Sequence, residues 1–151
     1  PFTISSPYFG LGELVTDPWG DCVTVTGKRA LAAREWYKST QMPLLAYSAL
    51  GHGFFSGRVK SGERNTEALD ETARVAFSCE ANFARLRRCE ELALKKGVTV
   101  AQIALSWIFR RGMNVFAIVG SSDAERMKSS IAAFYLDLSE SECDYLNDGL
   151  K

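Results

Sequence analysis

Apolar residues along the chain fall into two kinds of pattern. Short, nearly unbroken apolar runs occur at residues 42–47 (MPLLAY) and 114–119 (NVFAIV), whereas spacings of three and four recur between residues 79 and 108. A run of about six apolar residues bounded by turn signals is the pattern of a strand buried on both faces of a parallel sheet. Pro43 suits only the first position of such a strand, and the Gly- and Ser-containing residues 48–53 end it. A third segment, residues 2–6 (FTISS), is β-branched and aromatic and predicts an early strand that Pro7 cuts short.

The helical signals interleave with these runs. Residues 28–41 (KRALAAREWYKSTQ) hold strong helix formers and no Gly or Pro, with Thr26 or Gly27 at the start. Cys79, Phe83, Leu86, Cys89 and Ala93 make one stripe of an amphipathic helix that Gly97 stops. Thr99 is a fair N-cap for the next helix, with Ala101, Ala104, Leu105 and Ile108 as its buried face. Arg110 and Arg111 suit its negative end before Gly112. Ser122 with Glu125, and Ser139 with Glu142, have the spacing of capping boxes and predict helices reaching about Ala133 and Asp148. Residues 8–26 and 48–78 read as long loops, the second with one helical turn near residues 67–73. Loops of that length in compact domains are more often functional than idle.

Strand, helix, strand, helices, strand, helix is the order of parallel βαβ units, so the class is α/β, as one domain over residues 1–151. A closed βα barrel needs eight strands in about 250 residues, and this chain falls short by roughly half. Hydrophobic residues at 46% and charged residues at 24% fit a globular chain rather than a disordered one. Lys plus Arg equal Asp plus Glu at 18 each, which leaves no strong field for nucleic acid or an anionic membrane surface. Cys22, Cys79, Cys89 and Cys143 form no CxxC pair and His52 is the sole histidine, so no metal site is expected. The cysteines read as reduced thiols, three of them small hydrophobes in helices, and the compartment as cytoplasmic. No signal-like start and no apolar run of about 18 residues is present. The first residue is Pro1 rather than Met, which predicts a processed chain, a truncated one or a fragment.

Ligands of parallel α/β sheets bind outside the carboxyl ends of the strands, so the informative residues follow Tyr47 and Val119. In residues 47–58 (YSALGHGFFSGR), amides freed by Gly51 and Gly53 and the Ser48 hydroxyl suit a phosphate, and Tyr47 offers a flat face to an aromatic ring. The bland alternative is a glycine-rich turn with a packed tyrosine. In residues 120–126 (GSSDAER), a helix start, Ser121, Ser122 and Arg126 suit an anion; the alternative is an ordinary capped surface helix with a solvated arginine.

Residues 43–51 (PLLAYSALG) with 53–57 (GFFSG), then 100–107 (VAQIALSW), then 118–122 (IVGSS) with Arg126, resemble in order and spacing the end of the aldo-keto reductases. The resemblance implies the C-terminal half of a (β/α)8 TIM barrel, about strands six to eight. Residues 5–9 (SSPYF) resemble the sixth strand more loosely, with Ser6 where a Gln is common. It implies an NAD(P)H-dependent reductase of aldehydes or ketones, with Tyr47 against the nicotinamide and Ser48, Leu50 and Gly51 at the pyrophosphate. Ser121, Ser122 and Arg126 would hold the adenosine 2′-phosphate, which implies NADP with NAD as the alternative. Gly120 stands where many members have Lys, and Ser129 and Ser130 where Glu-Asn contacts adenine.

The family's catalytic Tyr, Lys, Asp and His lie on earlier strands and have no counterpart here, so no catalytic residue is expected in this chain and no turnover by it alone. His52 falls in the phosphate loop and reads as structural, while Tyr37, Tyr135 and Tyr145 read as packing residues. Trp19, Phe54 and Phe55 are candidate apolar contacts at the active-site mouth. Expected partners are a small carbonyl substrate of the full enzyme and another copy of this chain, since open sheet edges invite pairing. A non-catalytic half-barrel that binds a dinucleotide or a protein is the competing function.

Overall fold

In the computed structural model, which describes residues 2–149, the two apolar runs form the sheet. Leu44–Ala46 is β1 and Val115–Ala117 is β2, paired in parallel with Leu44 opposite Val115 and Ala46 opposite Ala117. Residues 2–6 form no regular strand. They run beside β1 through isolated parallel bridges, Ser5 to Leu44 and Tyr8 to Tyr47, with the Ser5 amide on the Pro43 carbonyl at 3.0 Å and the Leu45 amide on Ser5 at 2.8 Å. Pro7, which has no amide hydrogen, sits between the two bridges. Tyr8 also bridges Thr24 on its far side, so part of the 8–26 loop covers that edge of the sheet.

The strands are less enclosed than the apolar runs predict. Leu44 and Ala46 are fully buried, but Leu45 is half-buried and Phe116 and Ile118 are about half exposed. Leu45 and Phe116 are paired in the register and share one face of the sheet with Ile118, and that face is less covered than the one carrying Leu44 and Ala46.

Among the described residues six α-helices accompany the sheet. After a 3₁₀ turn at Lys28–Ala30, α1 covers Leu31–Thr40 and ends with Gln41 in the left-handed region. The connection from β1 to β2 holds α2 (Glu71–Phe77), α3 (Glu80–Lys96) and α4 (Val100–Phe109). The two-turn helix α2 exceeds the single turn expected there; Asp70 caps it by accepting from the Ala73 amide at 2.8 Å. Helix α4 packs against α3, α5 and β2 and is buried almost all round, from Ile103 to Ile108, so its stripe is wider than one face. Ala101, expected on the buried face, is only half-buried. Thr99 and Gln102 form the capping box at its start.

Helix α5 (Ala124–Ala132) is capped by Asp123, accepting from the Glu125 amide at 2.9 Å, and not by Ser122. The Ser121 hydroxyl claims the Asp123 amide and carbonyl, which moves the start of the helix one residue on. Helix α6 (Glu140–Asp148) opens with the expected Ser139–Glu142 box.

Two polar residues of α3 that interrupt its apolar stripe lie inside. Buried Asn82 accepts from the Glu13 amide at 2.9 Å and donates to the carbonyls of Glu13 and Phe77 at 2.8 and 2.9 Å. Buried Arg85 pairs with Glu13 at 2.5 Å and donates to the Asn147 carbonyl near the end of α6. Together they tie the 8–26 loop to α2, α3 and α6. Cys89 and Cys143 are buried, and burial pushes both thiols above their ordinary range; Cys22 and Cys79 are half-buried. Tyr37 is buried and Tyr145 bonds Glu91, but Tyr135 is 78% exposed, so it is not a packing residue of the interior. Among the described residues no single helix is long and apolar enough to cross a membrane.

The Ala73 amide, and after it the His52 ring, hold the Asp70 carboxyl below its usual range. A carboxyl lowered in the folded state adds stability that is present above its unfolded value of about 3.9 and is lost as pH falls through the folded value. Asp70→Ala is therefore expected to lower unfolding stability by about 1 kcal/mol at neutral pH. Denaturation followed between pH 7 and pH 3 should show the variant and the wild type converging toward the acid end.

Candidate functional site

Because β1 and β2 are parallel and in register, their carboxyl ends finish side by side, and the turns that follow them face each other. Between them lies an open hollow of about 880 Å³. Ser48, Leu50, His52 and Arg58 line it from the β1 side, and Ser121, Ser122 and Arg126 from the β2 side. Thr99 and Ala101 at the start of α4 and Ser129 and Ser130 of α5 complete the wall. The starts of both α4 and α5 thus border one space, and the amino end of a helix carries a partial positive charge. The lining holds two guanidinium groups and many hydroxyls but no Asp or Glu. In a chain of zero formal net charge, that is a local choice of donors over anions.

The turn after β1 is tightly wound. Ser48 and His52 take φ of 50° and 52°, a left-handed conformation uncommon for residues with a side chain. The Gly51 amide donates to the Ser48 carbonyl at 2.7 Å and the Gly53 amide to Leu50 at 3.2 Å. Those two amides are therefore occupied within the turn and do not face the hollow as donors, which corrects the role expected of the glycines. Gly51 is buried at φ 59°, and a Cβ there would meet Phe54, Phe55 and Phe77 at 3.4 Å each. Phe54 and Phe55 are fully buried core residues, so neither is a contact at a site mouth.

Of the seven residues expected to bind, Ser48, Leu50, Ser121, Ser122 and Arg126 share the hollow, whereas Tyr47 and Gly51 lie outside its wall. Tyr47 is half-buried beside it. Its ring meets Tyr8 at 6.0 Å and Trp19 at 5.8 Å, both edge to face, and its hydroxyl is 2.5 Å from Cys22 Sγ. Burial first, and then the Cys22 thiol, push its phenol above the ordinary range. Trp19 also lies 5.6 Å from the His52 ring, so the 8–26 loop reaches over this end of the sheet. His52 Nδ1 is 3.1 Å from Asp70 Oδ2. That pair joins the turn after β1 to the cap of α2, a positioning arrangement in keeping with a structural histidine.

At the start of α5 the polar groups are partly engaged. The Ser121 hydroxyl donates to the Asp123 carbonyl at 3.0 Å and accepts from its amide at 3.0 Å. Arg126 Nε lies 3.4 Å from Asp123 Oδ2, and its side chain is largely exposed. Sequence reasoning missed Arg58 and Thr99 as wall residues. Gly57-Arg58 at the end of the turn was visible as a cation beyond a glycine, but nothing in the spacing showed that the turn would coil back to bring it to α5. Among the described residues, no three His, Cys, Asp or Glu side chains cluster as a metal site.

A model described as the aldo/keto reductase family matches residues 31–150 of the chain. A Schizosaccharomyces pombe protein carrying the name aryl-alcohol dehydrogenase is 32% identical over 112 residues, covering 74% of this chain and 31% of that protein. A Glycine max protein named as an aldo-keto reductase is 32% identical over 101 residues, covering 66% of this chain and 29% of its own length. The chain therefore spans about a third of these relatives. Among solved structures, a thermostable aldo-keto reductase in complex with the inhibitor epalrestat superposes with a TM-score of 0.61 at 21% identity. The match takes in 97% of this chain and 39% of that one. The shared fold makes the architecture α/β and part of a TIM barrel.

The strained, internally bonded turn generates one expectation about its glycine. Gly51→Ala adds a Cβ to a left-handed residue in close contact with three aromatic side chains. It should lower unfolding stability by about 1–2 kcal/mol, read as a shift in the denaturation midpoint.

Proposed function

The chain belongs to the aldo/keto reductase family, and from that premise we propose that it is the cofactor-holding part of an NAD(P)H-dependent reductase of aldehydes or ketones. The observation that carries this reading is the hollow between the ends of β1 and β2, walled by hydroxyls and two guanidinium groups without a carboxylate. Its volume of about 880 Å³ is of the size that cofactor pockets take. Its donor set suits phosphate oxygens, which accept charge-assisted hydrogen bonds from Arg and ordinary ones from Ser.

In this reading the hydroxyls of Ser48 and Ser122 and the guanidinium of Arg58 meet the dinucleotide's phosphates, Leu50 offers apolar contact, and Arg126 stands at the adenosine end. Gly51 serves by permitting the turn, and Tyr47 by closing the nicotinamide end behind the hollow. The bound cofactor supplies the hydride; the chain's own task is to hold and orient it and to keep water from the covered end through Trp19 and Tyr47. No Tyr, Lys or Asp lines the hollow, and the one histidine there is engaged with Asp70. In this reading the proton for the carbonyl oxygen is given by residues of the whole enzyme other than those lining the hollow, and turnover belongs to the whole enzyme rather than to this chain alone. The carbonyl substrate is accordingly met by the whole enzyme, in the cytoplasm.

A second reading, a self-associating half-barrel without catalysis, draws on the half-exposed Phe116 and Ile118 at the unpaired edge of β2. Exposed strand edges of this kind template pairing with another chain.

Titration of NADPH and of NADH into the purified chain, followed by nicotinamide fluorescence, tests the cofactor reading. Saturable binding of at least one form is expected. A Cβ at Gly120 meets nothing within 4 Å, and the residue needs no positive φ, so Gly120→Asp puts a carboxylate in the hollow without disturbing the fold. It should weaken binding by about tenfold or more, some 1.4 kcal/mol, with the thermal midpoint unchanged. Absence of saturation with either form would remove the cofactor role.

A further inference from the structure

We infer that Asp123 sets the cofactor choice of the hollow in favour of the dinucleotide without a 2′-phosphate, NAD(H). The inference rests on the reading of the hollow as a dinucleotide site. Family resemblance assigns Ser121, Ser122 and Arg126 to the 2′-phosphate of NADP, but in this chain Asp123 engages two of the three. The Ser121 hydroxyl has a single hydrogen to give, and gives it to the Asp123 carbonyl at 3.0 Å. Arg126 Nε faces Asp123 Oδ2 at 3.4 Å. Of the three, Ser122 is the one whose side chain has neither a hydrogen bond nor an ion pair among the described residues.

The electrostatics at this point are those of a site already supplied with an anion. Asp123 caps α5 through the Glu125 amide at 2.9 Å, so its carboxylate stands at the positive end of the helix, next to the wall residues Ser121, Ser122 and Arg126. Glu125 in the first turn is paired with Lys128 at 2.8 Å, so neither adds net charge. Asp123 and Arg126 likewise cancel. A 2′-phosphate carries close to two negative charges at neutral pH. To bind, it must displace the Asp123 carboxylate from Arg126 and remain beside it. The 2′-hydroxyl of NAD has the opposite requirement: it donates a hydrogen bond, and a carboxylate oxygen accepts one. An acidic residue beside the ribose is the general device by which dinucleotide sites select NAD, whereas a freed Arg accommodates the 2′-phosphate.

The test is the ratio of two dissociation constants, measured by fluorescence titration of NADH and NADPH on the wild-type chain and on Asp123→Asn. Asn caps a helix as well as Asp does, so α5 is kept while the charge is removed. The wild type is expected to bind NADH more tightly than NADPH by about tenfold, a difference of some 1.4 kcal/mol. The variant should move that ratio toward NADPH by at least about fivefold and its NADPH binding should become more sensitive to salt. Competition by 2′,5′-ADP against ADP on the wild type isolates the adenosine end, and ADP should be the better competitor. Equal binding of both cofactors by the wild type, or a ratio unmoved in Asp123→Asn, would overturn the role of Asp123 while leaving the hollow as a cofactor site. Binding of neither would remove the cofactor reading and this inference with it.

Discussion

The parallel pairing of β1 with β2 is the constraint from which the rest of the molecule follows. Two parallel neighbours cannot be joined by a tight turn, so the chain between them must leave the sheet, return along its face and begin the second strand at the same end as the first. Helix α4 makes that return, which is why it is buried on almost every side. The register, with Ala46 opposite Ala117, then brings residues 48–58 and 120–126 out at one end, and a common hollow is the geometric result. The Asn82 and Arg85 bonds to the 8–26 loop hold a third segment over the same end.

The chain has no net charge to spend on attracting an anion, so its preference is made locally. Arg58, Arg126, several serines and the amino ends of α4 and α5 border the hollow. The nearby carboxylates stand outside the wall, Asp70 against His52 and Asp123 against Arg126. Each does a structural task as a helix cap, Asp70 also holding the His52 ring and Asp123 also facing the Arg126 guanidinium that borders the hollow. Desolvation of a dinucleotide's phosphates is offset only where donors outnumber such partners, which the β1 side of the hollow provides better than the α5 side.

Much of this was legible in the residues. The two apolar runs at 42–47 and 114–119 marked the strands, and the Ser139 box marked the last helix, because burial and capping are local demands written in local spacing. The family resemblance in residues 43–57, 100–107 and 118–126 supplied the barrel. What the residues did not show are the features decided by distant contacts. The segment at residues 2–6 became isolated bridges because Pro7 interrupts the ladder. The turn after Tyr47 consumed the amides of Gly51 and Gly53, because two non-glycine residues adopt left-handed angles and fold it onto itself. The burial of Asn82 and Arg85 has no local signal, since their partners lie more than sixty residues away at Glu13 and near the end of α6. Phe116 and Ile118 carry a strand's apolar signature whether or not a neighbour covers them.

That two separate turns act as a single phosphate cradle is most directly examined by amide hydrogen exchange of the whole chain with and without saturating dinucleotide. Slowed exchange appearing together in residues 48–58 and 120–126, and at the start of α4, with the remaining surface unaltered, is the outcome predicted here. Protection confined to one of the turns, or spread over the open edge of β2 instead, would contradict the shared hollow.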